Sequence, residues 1–418
     1  MTSLKRDALD FVRENDVKFV RLSFVDFEGV QKNLSVMSDA LEGVFENGMV
    51  FDGAAAGIVT GKNKDFRLFP DVTTLHILPW RPQHGRVARF LCSIKDENGN
   101  VVPFDTRNIL IEAVEKLKSH GLTCNVGTDC EFYLFKTDDA GNPTKSPQDN
   151  AGYFDIAPLD KGENVRREIC LCLEEMGIKP MSSHHENGPG QNEINFSERD
   201  ALSACDNHII FKSVVKAIAS RNGLFASFMP KPFKDKSGNG LAINFELFEG
   251  ATPLFDEKKL SKVASGFIAG ILNRAKELSL FFNSIPNSYE RLGEFFAPDT
   301  VEFSENDRGK FARFAYKGKT RRLEIRSADS ACNIYLVIAL IILAGIEGVE
   351  NGEKYEDFQS AAMPCSIGEA IHLAQESEFV KRALGAEFVE SYTEGKLDTL
   401  RAYEKDSSAE NQKAFERI

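Results

Sequence analysis

Two glutamates, Glu186 and Glu193, stand on either side of Gly188-Pro189-Gly190 in the stretch His184 to Ile194. Glycine and proline let the chain double back tightly there, so both carboxylates can converge on one point. Convergent carboxylates repel each other and resist burial. A hard divalent cation that prefers oxygen ligands, Mg2+ or Mn2+, is their natural neutraliser. Taken alone, the pair also reads as a polar loop with two solvated glutamates.

Two other groups of charges change that balance. In Asp129-Cys130-Glu131 the two acids are two residues apart, so on a strand both project to one face while Phe132 and Leu134 take the other. In Arg321 to Arg326 the same period aligns Arg322, Glu324 and Arg326. Such an alternation of cation, anion and cation makes a poor core face. It makes a good site for phosphate or carboxylate, which guanidinium groups bind in pairs of hydrogen bonds. A solvated edge strand would show the same pattern.

The elements that must position these residues follow from periodicity. Residues 4 to 15 predict an amphipathic helix, Val17 to Phe27 a strand running into a turn at Glu28-Gly29, and Phe51 to Gly57 a small-sided loop where backbone or ligand comes close. Thr74 to Leu78 and Val87 to Ile94 read as strands, with a hairpin signal at Glu97 to Asn100. A domain boundary near Pro103 divides the chain into residues 1–103 and 104–418. Beyond it, Asp105 or Thr106 caps a helix from Arg107 to His120 that stops at Gly121. The strand Asn125 to Phe135 and a helix from Glu163 to Met176 follow. Then come a long helix from Ser197 to Arg221, strands at Leu224 to Phe228 and Leu241 to Phe248, and a helix from Lys258 to Phe281. No G-x-G-x-x-G or P-loop signature occurs, so any nucleotide site is built another way.

Composition narrows the function classes. A chain of 418 residues, 42% hydrophobic, has enough apolar material for a large core, and its net charge of −12 argues against nucleic acid as the main partner. The eight cysteines are scattered without zinc spacing and read as reduced core residues. The start carries no apolar leader, and the run Ile334 to Ile346 is too short to cross a bilayer, so the cytoplasm is expected.

Six motifs in order resemble the glutamine synthetase family in its bacterial, type I-like form, with a γ-glutamyl-amine ligase branch. They are Phe51-Asp52-Gly53, Gly152 to Asp155, His184 to Ile194, Phe228 to Pro232, Asn287 to Leu292 and Arg321 to Arg326. The resemblance implies an α+β chain: a small N-terminal β-grasp domain followed by a large catalytic α/β barrel domain. It implies a dodecamer of two hexameric rings with active sites shared between subunits. ATP would phosphorylate glutamate to a γ-glutamyl phosphate that an amine attacks, with two to three Mg2+ or Mn2+ ions per site. By that likeness Glu131, Glu186 and Glu193 hold the first metal, and Asp129 and Glu324 the second. Tyr153, Gly238, Arg291 and Arg326 bind glutamate and the transferred phosphate. Arg308, Arg313, Lys319 and Arg322 meet the nucleotide phosphates, and Asp52, from a neighbouring subunit, acts on ammonium. Asp52, Arg308 and Arg322 are the residues expected to be catalytic.

The sequence departs from the family's pattern at three places. Ala242 and Asn244 stand where the family carries histidines, so the second metal lacks its nitrogen ligand. After Leu292 the flap is one residue shorter, with Phe296 in place of a glutamate and Glu294 nearby. Ala54 and Ala55 replace small hydroxyl residues beside Asp52. Three expectations stay open on these residues: a ligase for ammonia, a γ-glutamyl ligase for methylamine, ethanolamine or a polyamine, and an inactive homologue with a structural or regulatory role.

Overall fold

The computed structural model describes residues 2–58, 64–256, 260–318 and 320–418. Helix α1 (Ser3–Glu14) opens the chain, and the small sheet that follows has the strand order β2-β1-β5-β4-β3. Its strands are β1 (Val17–Val25), β2 (Gln31–Met37), β3 (Met49–Asp52), β4 (Asp65–Pro70) and β5 (Arg86–Lys95). Val20, Leu22 and Phe24 alternate into a core shared with α1 and α2 (Leu41–Asn47), while Arg21 and Ser23 take the other face. Two expectations shift here. Phe51 and Asp52 are the end of β3 rather than loop, and the turns begin at Gly53, where a Cβ would lie 2.3 Å from the Phe66 ring. Of the strand expected at Thr74 to Leu78, only His76–Ile77 pairs, because Val72–Thr74 winds into a 3-10 turn capped by Asp71.

The large part begins with α3 (Thr106–Ser119), whose first turn is capped by Asp105 accepting from the Asn108 amide at 3.2 Å. Its sheet has eleven strands. The strands that carry the site run in the order β11-β12-β10-β6-β8-β7: Ala312–Lys317, Thr320–Ile325, Leu241–Glu249, Leu122–Thr137, Gln191–Phe196 and Pro180–His185. Strand β9 (Leu224–Ser227) also pairs with β6. Sixteen residues long, β6 is the spine of the sheet. Its apolar residues Phe132 and Leu134 are buried, whereas Asp129 and Glu131 line a cavity on the other face, as the period of two requires.

Helices α4 (Glu163–Glu175), α5 (Ala201–Arg221), α6 (Lys262–Phe282) and α7 (Ile334–Glu350) cover the sheet. Helices α5 and α6 start later than periodicity predicts. Arg199–Asp200 first pairs with β6 before Asp200 caps α5, and Ser261 caps α6 by accepting from the Ala264 amide at 3.1 Å; Lys258 lies outside the described residues. The eight cysteines are free, six of them buried; Cys365 is exposed and Cys170 half-buried, so these two are not core residues. Among the described residues no helix is long and apolar enough to cross a membrane.

Helices α6 and α7 cross at bare backbone. A Cβ on Gly270 would lie 2.0 Å from the Ala344 carbonyl, and one on Gly348 would lie 2.1 Å from the Gly266 carbonyl. This close crossing bears on the site, because α6 leads into Asn283, whose side-chain amide donates to Ser327 O at 2.8 Å in the strap that runs into α7. Gly270→Ala should therefore destabilise the protein by about 1–3 kcal/mol through overpacking. Gly43→Ala, in α2 with open space around the added methyl, should stabilise it by roughly 0.5–1 kcal/mol through helix propensity. Chemical unfolding followed by circular dichroism measures both; equal effects at the two positions would refute the packing argument.

Candidate active site

Strand register brings the acids together. Glu193 on β8 lies directly opposite Glu131 on β6, and on its other side opposite His184 on β7, forming a row His184–Glu193–Glu131 across three strands. The next row reads Ser182–Asn195–Asp129–Ala242, and beyond it Gly127, Asn244, Glu324 and Arg313 pair in succession. Like charges directly opposite each other in an antiparallel pair are destabilising. Burial aggravates this: it is the largest cause raising the Glu131 carboxyl to about 7, with the Glu186 charge adding to it. The Glu193 carboxyl rises to about 8 through burial and then the charges of Asp129, Glu131 and Glu186.

Glu186 follows β7 at the start of the turn. One donor atom each of His184, Glu186 and Glu193 lie within 4.8 Å of one another. His184 Nε2 is 2.7 Å from Glu186 Oε1 and 4.0 Å from Glu193 Oε1. Burial lowers the affinity of the His184 ring for a proton, but the hydrogen bond to Glu186 and the charges of Glu193 and Glu186 outweigh it, so its pKa is raised. Glu131, expected in the same cluster, shares the wall but turns one oxygen to the Gly240 amide at 2.7 Å and the Gln191 side-chain amide at 3.3 Å.

The turn is pinned from behind. Asp149 Oδ1 accepts from the Gly190 amide at 2.8 Å and lies 3.0 Å from His185 Nε2, and Oδ2 accepts from the Lys161 amide at 2.9 Å. Against the cost of burial, the His185 hydrogen bond and these amides hold the Asp149 carboxyl at about 2. Beneath it Arg166 pairs with Asp160 at 2.6 Å and donates to Asn192 Oδ1 at 2.5 Å. Gly188 has no alternative, since a Cβ there would sit 1.8 Å from the Tyr133 hydroxyl.

The same cavity, about 890 Å3 in volume, also has a cationic wall, formed by Arg291, Arg308, Arg313, Arg322 and Arg326. Glu324 sits between two of them, accepting from Arg326 and paired with Arg313 at 2.5 Å. Arg322 reaches Glu198 at 2.6 Å and Asp129 at 3.7 Å. Asn244 donates to Asp129 Oδ2 at 2.9 Å, and the expected gap at Ala242 lies directly across from Asp129. Buried Arg291 is aimed by the strap, donating through Nη2 to the carbonyls of Ser327 and, at 3.1 Å, Ala328.

Of the remaining expected residues, Tyr153 and Gly238 line the cavity. Tyr153 stacks on Phe154 with ring centroids 4.0 Å apart, and both rings meet His184 edge-on. Lys319 lies outside the described residues. Asp52 does not line the cavity of its own chain; it sits at the end of edge strand β3, accepting from the Ala54 and Ala55 amides at 2.9 and 3.1 Å. Glu294 is at the cavity, its carboxylate 2.5 Å from the ammonium of buried Lys231, and the Phe295 ring covers the same ammonium at 4.7 Å. Sequence reasoning missed His184 as a donor, and also Gln191, Glu198, Lys231 and Asp149. For His184 a signal existed, the position directly opposite Glu193 in a hairpin centred on Gly188-Pro189-Gly190; the others depend on contacts distant in the chain.

This donor set fits a divalent cation: stacked carboxylates with raised proton affinity, beside an imidazole that neutralises one of them. The sign of the pH dependence follows. Glu131 and Glu193 bind protons more tightly folded than unfolded, so their contribution to the stability of the ligand-free fold is fully present below the ordinary glutamate value of 4.5 and is lost as pH rises through about 7 and about 8. Thermal unfolding from pH 5 to 9 (roughly the window in which these groups titrate) should show that decline. Mn2+ should flatten it, and Glu193→Gln should reduce both slope and metal response. A ligand-free stability that rises over the window would contradict the charge assignment.

Comparison with known proteins gives the family. Residues 103–414 match the family model described as glutamine synthetase, catalytic domain, and residues 16–97 match glutamine synthetase, beta-Grasp domain. A glutamine synthetase of Clostridium saccharobutylicum is 40% identical over 415 residues, covering 94% of each chain. One of Methanosarcina mazei is 39% identical, covering 93% of this chain and 92% of the relative. The solved structure of a GmaS/ADP complex superposes with a TM-score of 0.86 at 28% identity, covering 97% of each chain. Two family models in tandem and relatives near 40% identity over almost the full length show that this chain belongs to the glutamine synthetase family.

Proposed function

We propose that the chain is an ATP-dependent ligase that joins glutamate and ammonia into the γ-amide, glutamine, through a γ-glutamyl phosphate. The observation that carries this reading is one cavity lined both by a carboxylate wall, Glu131, Glu186 and Glu193, and by an arginine wall, Arg291, Arg308, Arg313, Arg322 and Arg326. Phosphoryl transfer needs reactants held in line and negative charge neutralised as it moves, and these walls supply both. Arg308, Arg313 and Arg322 receive the ATP phosphates. Arg291 and Arg326 hold glutamate so that a γ-carboxylate oxygen attacks the terminal phosphorus and ADP leaves. Ammonia then attacks the acyl carbon and expels phosphate. Mg2+ or Mn2+ held by the carboxylate wall, with Asp129 and Glu324 at a second position, would supply positive charge to the phosphate oxygens.

Ammonium must give up a proton before it attacks. Asp52 is suited to take it only from a neighbouring subunit, which supports a ringed homo-oligomer, a dodecamer in this reading, working in the cytoplasm. The substituted-amine alternative is not favoured. Identity to the glutamine synthetases, 40%, exceeds that to GmaS, 28%, and Glu294 keeps a carboxylate at the flap despite Phe296. The inactive-homologue alternative has little support beside so complete a set of charges.

Phosphate release from ATP should require both glutamate and ammonium, and Glu193→Gln or Arg326→Lys should slow it at least about a hundredfold, the scale of losing one transition-state charge contact. Release with methylamine but not ammonium would overturn the reading. Asp52→Ala subunits mixed with Arg322→Ala subunits should recover part of the activity, because some interfaces in hybrid rings contain both intact residues. Confirmed hybrids with no recovery would place the whole site within one chain.

A further inference from the structure

A second cavity, about 240 Å3 in volume, lies between the small sheet and helix α5. The face of β1 and β5 turned away from the small core brings Arg21 and Arg89 side by side in register. Helix α5 presents Lys212 and Lys216 across the gap, and Arg417 closes the end. Glu28 is the one acidic side chain among the described residues lining it, and its carboxylate is paired with Lys396. Arg89 is only 3% exposed, and neither its Nε nor its Nη2 has a hydrogen-bond partner. Asp206, the acid whose charge Arg89 feels most, is occupied by Arg107 at 2.8 Å and the Tyr335 hydroxyl at 2.7 Å. The lysines are held in place without being neutralised: Lys212 donates to Ser330 O at 2.7 Å and Lys216 to Arg417 O at 2.8 Å.

A buried guanidinium with two of its three nitrogens unpartnered, and four more cations around the same gap, is unfavourable unless an anion enters. Consistent with that, burial and then the Lys212 charge pull the Lys216 ammonium down to about 7, and burial and then the Arg89 charge pull the His76 ring to about 4. The volume is about a quarter of that of the catalytic cavity, 240 against 890 Å3, too little for a nucleoside triphosphate. We propose that this cavity binds a small phosphate dianion, inorganic phosphate or a small phosphate monoester, against Arg89, Arg21, Lys212 and Lys216. An occupant there bridges the domain that carries Asp52 and the domain that carries the catalytic walls, so it would couple anion concentration to how firmly the two are docked.

Calorimetric titration with inorganic phosphate tests this on the protein carrying Arg322→Ala and Arg326→Ala, which weakens phosphate binding at the catalytic cavity. One phosphate per chain should still bind, and adding Arg89→Gln or Lys216→Gln should weaken it at least about tenfold, the scale of one charge-assisted hydrogen bond. A parallel titration with glycerol 2-phosphate separates the monoester from free phosphate. If Arg89→Gln fails to fold, Lys216→Gln on the half-buried face of α5 and Arg417→Ser at the exposed rim answer the same question. Four results would overturn the proposal. They are no binding in the Arg322→Ala, Arg326→Ala background; binding unchanged by Arg89→Gln and Lys216→Gln; an equal response to chloride at the same ionic strength, an adventitious ion only; and binding that appears only once Arg417 and Ile418 are removed.

Discussion

Glu131 and Glu193 face each other across β6 and β8, and much else in the molecule answers that repulsion. A sheet left to its own preferences would not put two buried carboxylates in direct register. Here the strain is spread over several partners. The Gly240 amide and the Gln191 side chain take one Glu131 oxygen, His184 sits beside Glu186 and Glu193, and protons remain bound well above the usual carboxylate range. Each of these is a weaker substitute for a divalent cation, and a wall balanced in this way would give them up if one bound.

Poise of this kind needs a rigid frame. Asp149 ties the Gly190 amide and His185 to one carboxylate, and Arg166 joins Asp160 to Asn192 below it. A buried network tied at this many points does not readily shift, so Glu186 and Glu193 are held at a fixed separation. Asp149, Asp160 and His185 could also be drawn as a metal site by proximity. Their donors and acceptors are already used on amides and on Arg166, and they act as a brace.

The arginine wall follows the same logic with the sign reversed. Glu324 holds Arg313 and Arg326 together, and Asp129 with Glu198 holds Arg322. These pairings keep like charges in place until phosphate oxygens arrive and offer better partners. Between the domains, two nitrogens of Arg89 lack hydrogen-bond partners, and Asp206, the acid whose charge it feels most, is committed to Arg107 and the Tyr335 hydroxyl, a difference that marks that cavity as a place for further negative charge.

The residue order alone determined much of this. Alternation on Asp129 to Leu134 and on Arg321 to Arg326 assigned charged and apolar faces because a strand's period of two is a local property. The helix cap at Asp105 and the stop at Gly121 were legible for the same reason, since backbone conformation at those points depends on one or two side chains. The six ordered motifs pointed to the family before any contact was known. What only the tertiary structure decided is register and distance. That His184 and not Glu131 completes the tight cluster with Glu186 and Glu193, that Lys231 holds Glu294, and that Arg21 and Arg89 meet Lys212 and Lys216 all rest on which residues pair across strands and domains. Glu131 and Gly240 are 109 positions apart, and nothing local in either residue encodes the hydrogen bond between them.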